Sequence, residues 1–296
     1  MPSPHFSPPL YCGRALWDAL GPLEIEATRG PRDAGRIAQE GVRAGVERLV
    51  VAGGDGTLSE VVTGLLGAGL AGDVQIGLLP LGTGGDFART LGIPRDLDGA
   101  IAALATGTPR VVDAGRVRFR DPSGRDDRSW FLNATSFGVS GLVVELVNRA
   151  PKALGGRVSF LIGTLRALAR YRCPSVTLRL DGEPVFEGPL VLAAVANGQY
   201  FGGGMRVAPG ARLDDGLLDL VVVPELGKAR LLAKLPTIYR GEHLKDPATQ
   251  FYRGRVLEAE ASAGVARLDV DGEPLGMLPA RIEILPGAVT LIGCAS

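Results

Sequence analysis

Leu49-Val50-Val51-Ala52-Gly53-Gly54-Asp55-Gly56-Thr57-Leu58-Ser59-Glu60-Val61-Val62 is the stretch on which the reading of this chain turns. Four small or branched apolar residues running into a glycine cluster predict a buried strand that stops abruptly, because a glycine run permits backbone angles other residues resist. A helix is expected directly after it. Thr57 and Glu60 have capping-box spacing, and Leu58, Val61, Val62, Leu65 and Leu66 recur at the interval that gives one apolar face. Such a junction leaves backbone N–H groups without helical acceptors and turns the positive end of the helix dipole towards the loop, which favours a phosphate. The loop has neither the lysine of a P-loop nor the third glycine of a dinucleotide fingerprint. Asp55 stands where the phosphate should come, and the two negative charges would repel unless a divalent cation or its waters lay between them. The stretch reads as a magnesium-nucleotide site or as a tight turn with a helix cap, and alone it leaves both open.

A second junction separates the two readings. Val74-Gln75-Ile76-Gly77-Leu78-Leu79 predicts another buried strand, followed by Pro80-Leu81-Gly82-Thr83-Gly84-Gly85-Asp86-Phe87-Ala88-Arg89. Two glycine loops, each closing a strand and separated by one helix, are what a right-handed parallel βαβ unit brings together at the sheet edge where open α/β sheets bind ligands. Gly53-Gly54-Asp55-Gly56-Thr57 with Glu60, followed by Pro80-x-Gly-Thr-x-x-Asp-Phe-Ala-Arg, resembles the bacterial lipid kinases that share the diacylglycerol kinase catalytic domain. NAD kinases and phosphofructokinases carry a motif like the first; the second favours lipid kinases.

The resemblance implies a fold and a set of ligands. The fold would be an N-terminal three-layer α/β nucleotide-binding domain of the NAD kinase and phosphofructokinase type over residues 1–110, joined to a C-terminal antiparallel β-sandwich domain over 111–285. Residues from about 286 to 296 would return to the first domain. ATP and magnesium would be the cofactors, with nucleotide held by Thr28, Gly54, Asp55, Gly56, Thr57, Leu58, Ser59, Glu60 and Thr83.

Composition bounds the alternatives. A chain of 296 residues is long enough for two domains with cores of their own. Lys plus Arg and Asp plus Glu balance at 32 each, so no basic field marks a nucleic-acid binder. Three cysteines, Cys12, Cys173 and Cys294, are odd in number and far apart, which argues for a reducing compartment. His5 and His243 are the only histidines, too few for a histidine metal site or triad; His243 reads as a surface or hydrogen-bonded residue. No stretch reaches the apolar length of a membrane span and the N-terminus has no signal-peptide pattern, so the expected location is cytoplasmic, with transient contact at the inner face of the membrane.

Along the chain, residues to about Pro9 read as irregular, Gly13–Leu20 as helix, Leu23–Thr28 as a short strand, Arg36–Ala44 as helix and Asp98–Leu104 as helix. Relatives open with an Asn-Pro-x-Ser-Gly type loop where this chain has only Cys12-Gly13-Arg14. From Val111 short alternating strands replace the strand–helix rhythm, as in a sandwich. Arg120–Ser129 reads as a charged hairpin loop, and strand resumes at Trp130–Ala134. Arg157–Tyr171 reads as an amphipathic helix packed on the sandwich, with anionic-lipid docking through Arg166, Arg170 and Arg172 as the sharper alternative. Leu190–Ala196, Arg281–Leu285 and Val289–Ile292 read as strands.

Three carboxylate groups carry the chemical expectations. Asp214-Asp215-Gly216-Leu217-Leu218-Asp219 gathers acids around a turn that is either a hairpin or an oxygen-ligand site for a hard cation. The resemblance implies a structural magnesium there, on the Asp215 side chain and the main-chain oxygens of Arg212 and Leu217. Asp-Gly-Glu occurs twice, at Asp181-Gly182-Glu183 and Asp271-Gly272-Glu273, and either copy fits a two-residue hairpin turn. The resemblance selects the second as catalytic, with Glu273 as base and Asp271 supporting the metal or the base itself. The expected activity is transfer of the γ-phosphoryl group of ATP to a lipid hydroxyl of diacylglycerol, phosphatidylglycerol or sphingoid type; a homodimer is compatible with it. Relatives have Gly-Thr-Ala-Asn-Asp-Phe-Ala where this chain has Gly82-Thr83-Gly84-Gly85-Asp86-Phe87-Ala88. That departure keeps open a nucleotide-binding protein with weak or no kinase activity, and the first motif alone keeps open an NAD kinase-like enzyme.

Overall fold

The computed structural model describes residues 10–82, 85–148, 163, 166, 167 and 171–294. The chain divides into two compact units: one runs to Val112 and takes the chain in again from Gly287, and the other spans Asp113–Pro286.

The first unit contains α1 (Leu10–Leu20), α2 (Asp33–Arg43), β1 (Arg48–Gly53), α3 (Asp55–Ala68), β2 (Gln75–Pro80), α4 (Asp86–Thr90) and α5 (Leu97–Thr106). β1 and β2 run parallel, in register from Arg48 opposite Gln75 to Gly53 opposite Pro80. Thr290–Ile292 adds a third parallel strand on the other side of β2. Parallel neighbours need a helical crossover, which α3 supplies, and their buried faces explain the near-continuous apolar runs at β1 and β2. α3 buries Leu58, Val61, Val62 and Leu65, the stripe read from the sequence. α2 and α3 touch through glycine: a Cβ at Gly64 would lie 2.7 Å from the Gly35 Cα, so neither position has room for a side chain.

Two expectations for this unit are corrected. α3 begins at Asp55, with Gly54 as N-cap and no side-chain cap, so the capping box on Thr57 and Glu60 does not form. The extended backbone of Gly54 already supplies the cap geometry, and Thr57 falls inside the first turn. Leu23–Thr28 forms no strand: the segment has no strand partner among the described residues, and Ile25 is 54% exposed. Alternation alone does not make a strand where no neighbour accepts its hydrogen bonds.

The second unit is an antiparallel β-sandwich. Its elements are β3 (Arg110–Arg120), β4 (Asp126–Phe131), β5 (Ala134–Gly138), α6 (Val139–Asn148), β6 (Ser175–Leu180), β7 (Glu183–Ala196), β8 (Leu218–Pro224), α7 (Lys228–Tyr239), β9 (Gln250–Gly254), β10 (Val256–Ala263), β11 (Arg267–Val270) and β12 (Glu273–Ile292), whose end belongs to the first unit. Pairing runs β12–β10–β6–β7–β5–β11 and returns to β12, a closed circuit. Closure is possible because two long strands serve twice. β7 pairs with β6 up to Pro189 and with β5 from Leu192, bending at Gly188, whose φ is +140°. β12 pairs first with β11 and then with β10. The inner faces bury Val117, Phe131, Phe137, Leu178, Leu220, Leu257, Leu268 and Ile282 in one core. A second apolar layer, with Val139, Val143 and Val191 buried and Leu231 and Leu235 packed against them, brings α6 and α7 onto the sheet.

Here too the reading is adjusted. Arg120 pairs with Asp126, so the charged segment is strand on both sides of a short turn, which Asp121 closes by accepting the N–H groups of Ser123 and Arg125. The amphipathic helix expected over Arg157–Tyr171 lies outside the described residues except at Gly163, Arg166, Ala167 and Tyr171. His243 is buried, with Nε2 2.9 Å from the Val207 carbonyl, and burial lowers its pKa, so of the two readings offered for it the hydrogen-bonded one holds and the surface one does not. Cys173 and Cys294 are free thiols. No described helix is long and apolar enough to cross a membrane.

Candidate functional site

In the first unit the two glycine loops meet. The Gly53 carbonyl accepts the N–H groups of Leu81 at 3.0 Å and Gly82 at 3.2 Å. A Cβ at Gly82 would lie 2.5 Å from the Gly54 Cα, so the loops touch backbone to backbone and only glycine satisfies both sides. The Asp55 Oδ2 accepts the Asp86 N–H at 2.8 Å, tying the first residue of α3 to the first residue of α4. Asp86 is itself buried, and its Oδ1 accepts from Arg89 Nη1 at 3.0 Å. Burial raises the Asp55 pKa, the nearby Asp86 carboxylate adds to the rise, and the N–H groups of Asp86 and Phe87 oppose it. The Asp55 Oδ1 is buried with no hydrogen-bond partner, an oxygen suited to a cation that arrives with the ligand.

The nucleotide-site expectations divide by position. Asp55, Gly56 and Thr57 make up the first turn of α3, whose N–H groups have no helical acceptor, while the Leu58 N–H bonds the Gly54 carbonyl at 3.1 Å. The Leu58 side chain is in the core, so Leu58 has neither group to offer a ligand. Ser59 and Glu60 are half-buried on the same helix. Thr28 is exposed in the segment before α2, one residue ahead of Arg29, whose N–H bonds Asp33. Thr83 lies outside the described residues.

In the second unit, Asp271-Gly272 turns between β11 and β12 with φ values of +47° and +86°. The Asp271 carboxylate is held by three backbone N–H groups, from Leu132 at 3.0 Å, Asn133 at 3.1 Å and Ala134 at 3.0 Å. Asp271 therefore anchors the turn to the β4–β5 connection. Glu273 follows with its side chain exposed. Beneath them lies Asp269, which sequence reasoning passed over as a site residue: it is buried, its Oδ2 accepts the Ser136 hydroxyl at 2.6 Å, and the Gly272 N–H also reaches its carboxylate. Burial pushes its pKa up to about 6, the Asp271 charge adds to this, and the Ser136 and Gly272 donors oppose it. Alternation along β11 places Asp269 on the face opposite Leu268, and α6 covers that face, its Gly141 passing tightly over Arg267. Asn133 and Asn197 are buried beside the turn, donating to the carbonyls of Tyr200 and of Asp113 and Leu132 respectively.

The acidic turn tests the expected magnesium set. Asp215 Oδ1 accepts the Leu217 N–H at 3.1 Å, and its other oxygen binds the Arg253 guanidinium, which also reaches Asp219 Oδ1 at 2.7 Å. The Arg212 side chain lies 3.6 Å from Asp214. As folded, the donors do not fit the ion: the one anionic ligand of the set, Asp215, is already paired with a guanidinium, whose charge repels a cation. Asp219 is buried, and burial raises its pKa against the opposing pull of Arg253. Among the described residues no group of three or more His, Cys, Asp or Glu side chains could hold a metal.

Comparison with known proteins covers both units. Residues 13–117 match the diacylglycerol kinase catalytic domain, and residues 133–293 match the YegS C-terminal NAD kinase beta sandwich-like domain. A protein named probable lipid kinase YegS-like from Stenotrophomonas maltophilia is 34% identical over 276 residues, which is 91% of this chain and 86% of that protein. A diacylglycerol kinase from Mycobacterium tuberculosis is 31% identical over 88% of this chain and 81% of its own length. The crystal structure of a putative diacylglycerol kinase from Bacillus anthracis str. Sterne superposes with a TM-score of 0.76 at 27% identity, covering 94% of this chain and 86% of that one. With both matched segments falling on the two units and relatives aligned along nearly the whole chain, the protein belongs to the bacterial lipid kinase family that joins a diacylglycerol kinase catalytic domain to a YegS C-terminal beta sandwich-like domain, phosphotransferases with an alcohol group as acceptor.

Proposed function

We propose that the chain transfers the γ-phosphoryl group of ATP to a hydroxyl of a lipid of the diacylglycerol, phosphatidylglycerol or sphingoid type. The observation that carries this reading is the bond from the Asp86 N–H to Asp55, which joins two glycine loops and leaves the second Asp55 oxygen buried and unpartnered. The N–H groups of Gly54, Asp55, Gly56 and Thr57 would bind phosphate oxygens at the start of α3, and Asp55 would face the magnesium ion that accompanies ATP. That ion supplies charge neutralisation on the polyphosphate. Ser59, Glu60, Thr28 and Thr83 complete the nucleotide site by family resemblance. Glu273 takes the proton of the acceptor hydroxyl. Its exposure suits a group that meets a substrate, whereas Asp271, satisfied by three N–H groups, holds the turn in place. The use of ATP places the reaction in the cytoplasm, at the inner face of the membrane.

Transfer of label from [γ-³²P]ATP across a panel of lipid acceptors tests the reading. One lipid class is expected to take up label, and Glu273→Gln to lower kcat by a factor on the order of 10² to 10⁴ with an unchanged melting temperature. Strong labelling of NAD with none of lipid would overturn it. ATP binding without transfer to any acceptor would support the nucleotide-binding alternative, which the loss of an amide at Gly85 favours.

A further inference from the structure

Helix α7 carries apolar residues on two faces, and among the described residues only one of them is packed against the fold. Leu231 and Leu235 pack on Val191 and its neighbours, and Ile238 packs beside Val207 and Val221. Ala229, Leu232, Ala233, Pro236 and Tyr239 fall at i, i+3, i+4, i+7 and i+10, which is a second complete stripe at helical spacing. All five are exposed, Leu232 and Tyr239 at 43% each, and no residue of the helix is buried. A helix that only covered a sandwich would present polar residues there.

The charges around the stripe select its partner. The helix contains Lys228, Arg230 and Lys234 and no acid, and Arg240 is its C-cap residue. Adding Lys245 gives five cations between Glu225 and Asp246, against the three carboxylates Glu225, Glu242 and Asp246, in a chain whose net charge is zero. Arg230 and Lys234 both pair with Asp246, and Arg240 pairs with Glu242. Helical spacing puts Lys228 and Arg240 at the borders of the stripe, Arg230 farther round and Lys234 on the far side, and lysine and arginine are long enough to keep their heads in water while their stems cover apolar surface. Leucine, proline and tyrosine flanked by lysine and arginine are the pattern of a helix lying in a bilayer interface.

We propose that the outer face of α7 docks this protein on a bilayer containing anionic phospholipid, with Leu232, Pro236 and Tyr239 entering the headgroup boundary and Lys228, Arg230 and Arg240 reaching the phosphates from its flanks. The proposal rests on the lipid kinase reading for its purpose, since a lipid acceptor resides in a membrane. It differs from docking through Arg166, Arg170 and Arg172 in placing the contact on α7, whose apolar stripe is exposed.

The test uses the full chain with the paired substitution Leu232→Glu and Tyr239→Glu, and sedimentation with vesicles of phosphatidylcholine alone or with about 30 mol% phosphatidylglycerol. Wild type is expected to sediment with the anionic vesicles and to stay in solution with the neutral ones, and the variant to lose bound fraction about tenfold at an unchanged melting temperature. Leu232→Gln with Tyr239→Gln repeats the measurement without added charge, should the glutamates disturb folding. Equal binding by wild type and a folded variant would overturn the proposal. So would a wild-type dimer that the substitutions dissociate, because the face would then belong to a second copy of the chain. Transfer of label to a short-chain, monomerically dispersed diacylglycerol is read in parallel. If neither protein labels any acceptor while vesicle binding responds as stated, the kinase reading fails and the docking face stands; if both label the dispersed acceptor equally but bind vesicles alike, docking through α7 alone fails.

Discussion

Gly85, the N-cap of α4, stands where relatives carry asparagine. Its φ of +65° and ψ of +36° lie in the left-handed region, which asparagine also enters readily, and a Cβ built there meets only the Ala88 Cβ at 4.0 Å. Glycine has kept the backbone of this loop and given up the amide. Gly85→Asn is therefore expected to fold as wild type and to raise kcat/KM for ATP by about threefold to tenfold, the worth of one hydrogen bond near charge; steady-state kinetics on a phosphorylatable lipid checks this. Asp269 makes a different prediction. A carboxyl whose pKa rises on folding binds its proton more tightly in the folded state, so its contribution to stability is greatest below about pH 4 and is lost as pH rises towards about 6. A rise of roughly two pH units corresponds to about 3 kcal/mol of burial cost carried at neutral pH. Asp269→Asn, which can still accept the Gly272 N–H, is expected to gain about 1–3 kcal/mol over wild type at pH 7.5 and much less at pH 4.5, measured by urea unfolding. The sequence contained Asp269 in plain view beside the second Asp-Gly-Glu, but nothing local distinguishes a strand acid facing water from one covered by a helix. The two Asp-Gly-Glu copies make the same point: Asp181 and Asp271 share positive φ, and each caps backbone N–H groups of a neighbouring segment. Only their surroundings differ.

At the scale of elements, what the sequence disclosed followed from period. β1, β2, α2, α3 and α5 fall within a few residues of where apolar spacing put them, because each buries one face against neighbours near in sequence. β12 was read as two short strands because Pro286 and Gly287 interrupt the pattern, yet one strand runs across both, with Gly287 taking a φ of +61° that glycine allows. The close approach of α2 and α3 was also invisible, since a glycine in a helix advertises a low propensity and not the helix that crosses it. Gly64→Ala tests that contact. Alanine is the better helix former by about 1 kcal/mol, but its Cβ would sit 2.7 Å from the Gly35 Cα, and forced separation of the helices costs about 1–3 kcal/mol. A lowered melting temperature is expected, whereas the same change at exposed Gly56, where a Cβ meets nothing within 4 Å, should leave the melting temperature nearly unchanged.

For the molecule as a whole, β12 is the strand on which both units draw. Up to Glu283 it pairs with β11 and β10 of the sandwich, and at Thr290–Ile292 it is the third strand of the parallel sheet. Ending the chain after Pro286 would keep the sandwich pairings and remove Val289, Leu291 and Ile292, all nearly fully buried. At about 1.5–3 kcal/mol for each side chain, the loss is comparable to the whole stability of an ordinary domain. Hydrogen exchange should then show β1 and β2 unprotected while β6 and β10 keep their protection. The same strand governs the order of events during synthesis. The ribosome delivers the glycine loops first, yet until Ile292 has cleared the exit tunnel the parallel sheet has a bare edge, whereas the ring of sandwich strands can close once Glu283 is out. The half that is made first therefore finishes after the other, and a chaperone that shields nascent polypeptide would find the parallel sheet still incomplete when the sandwich has closed.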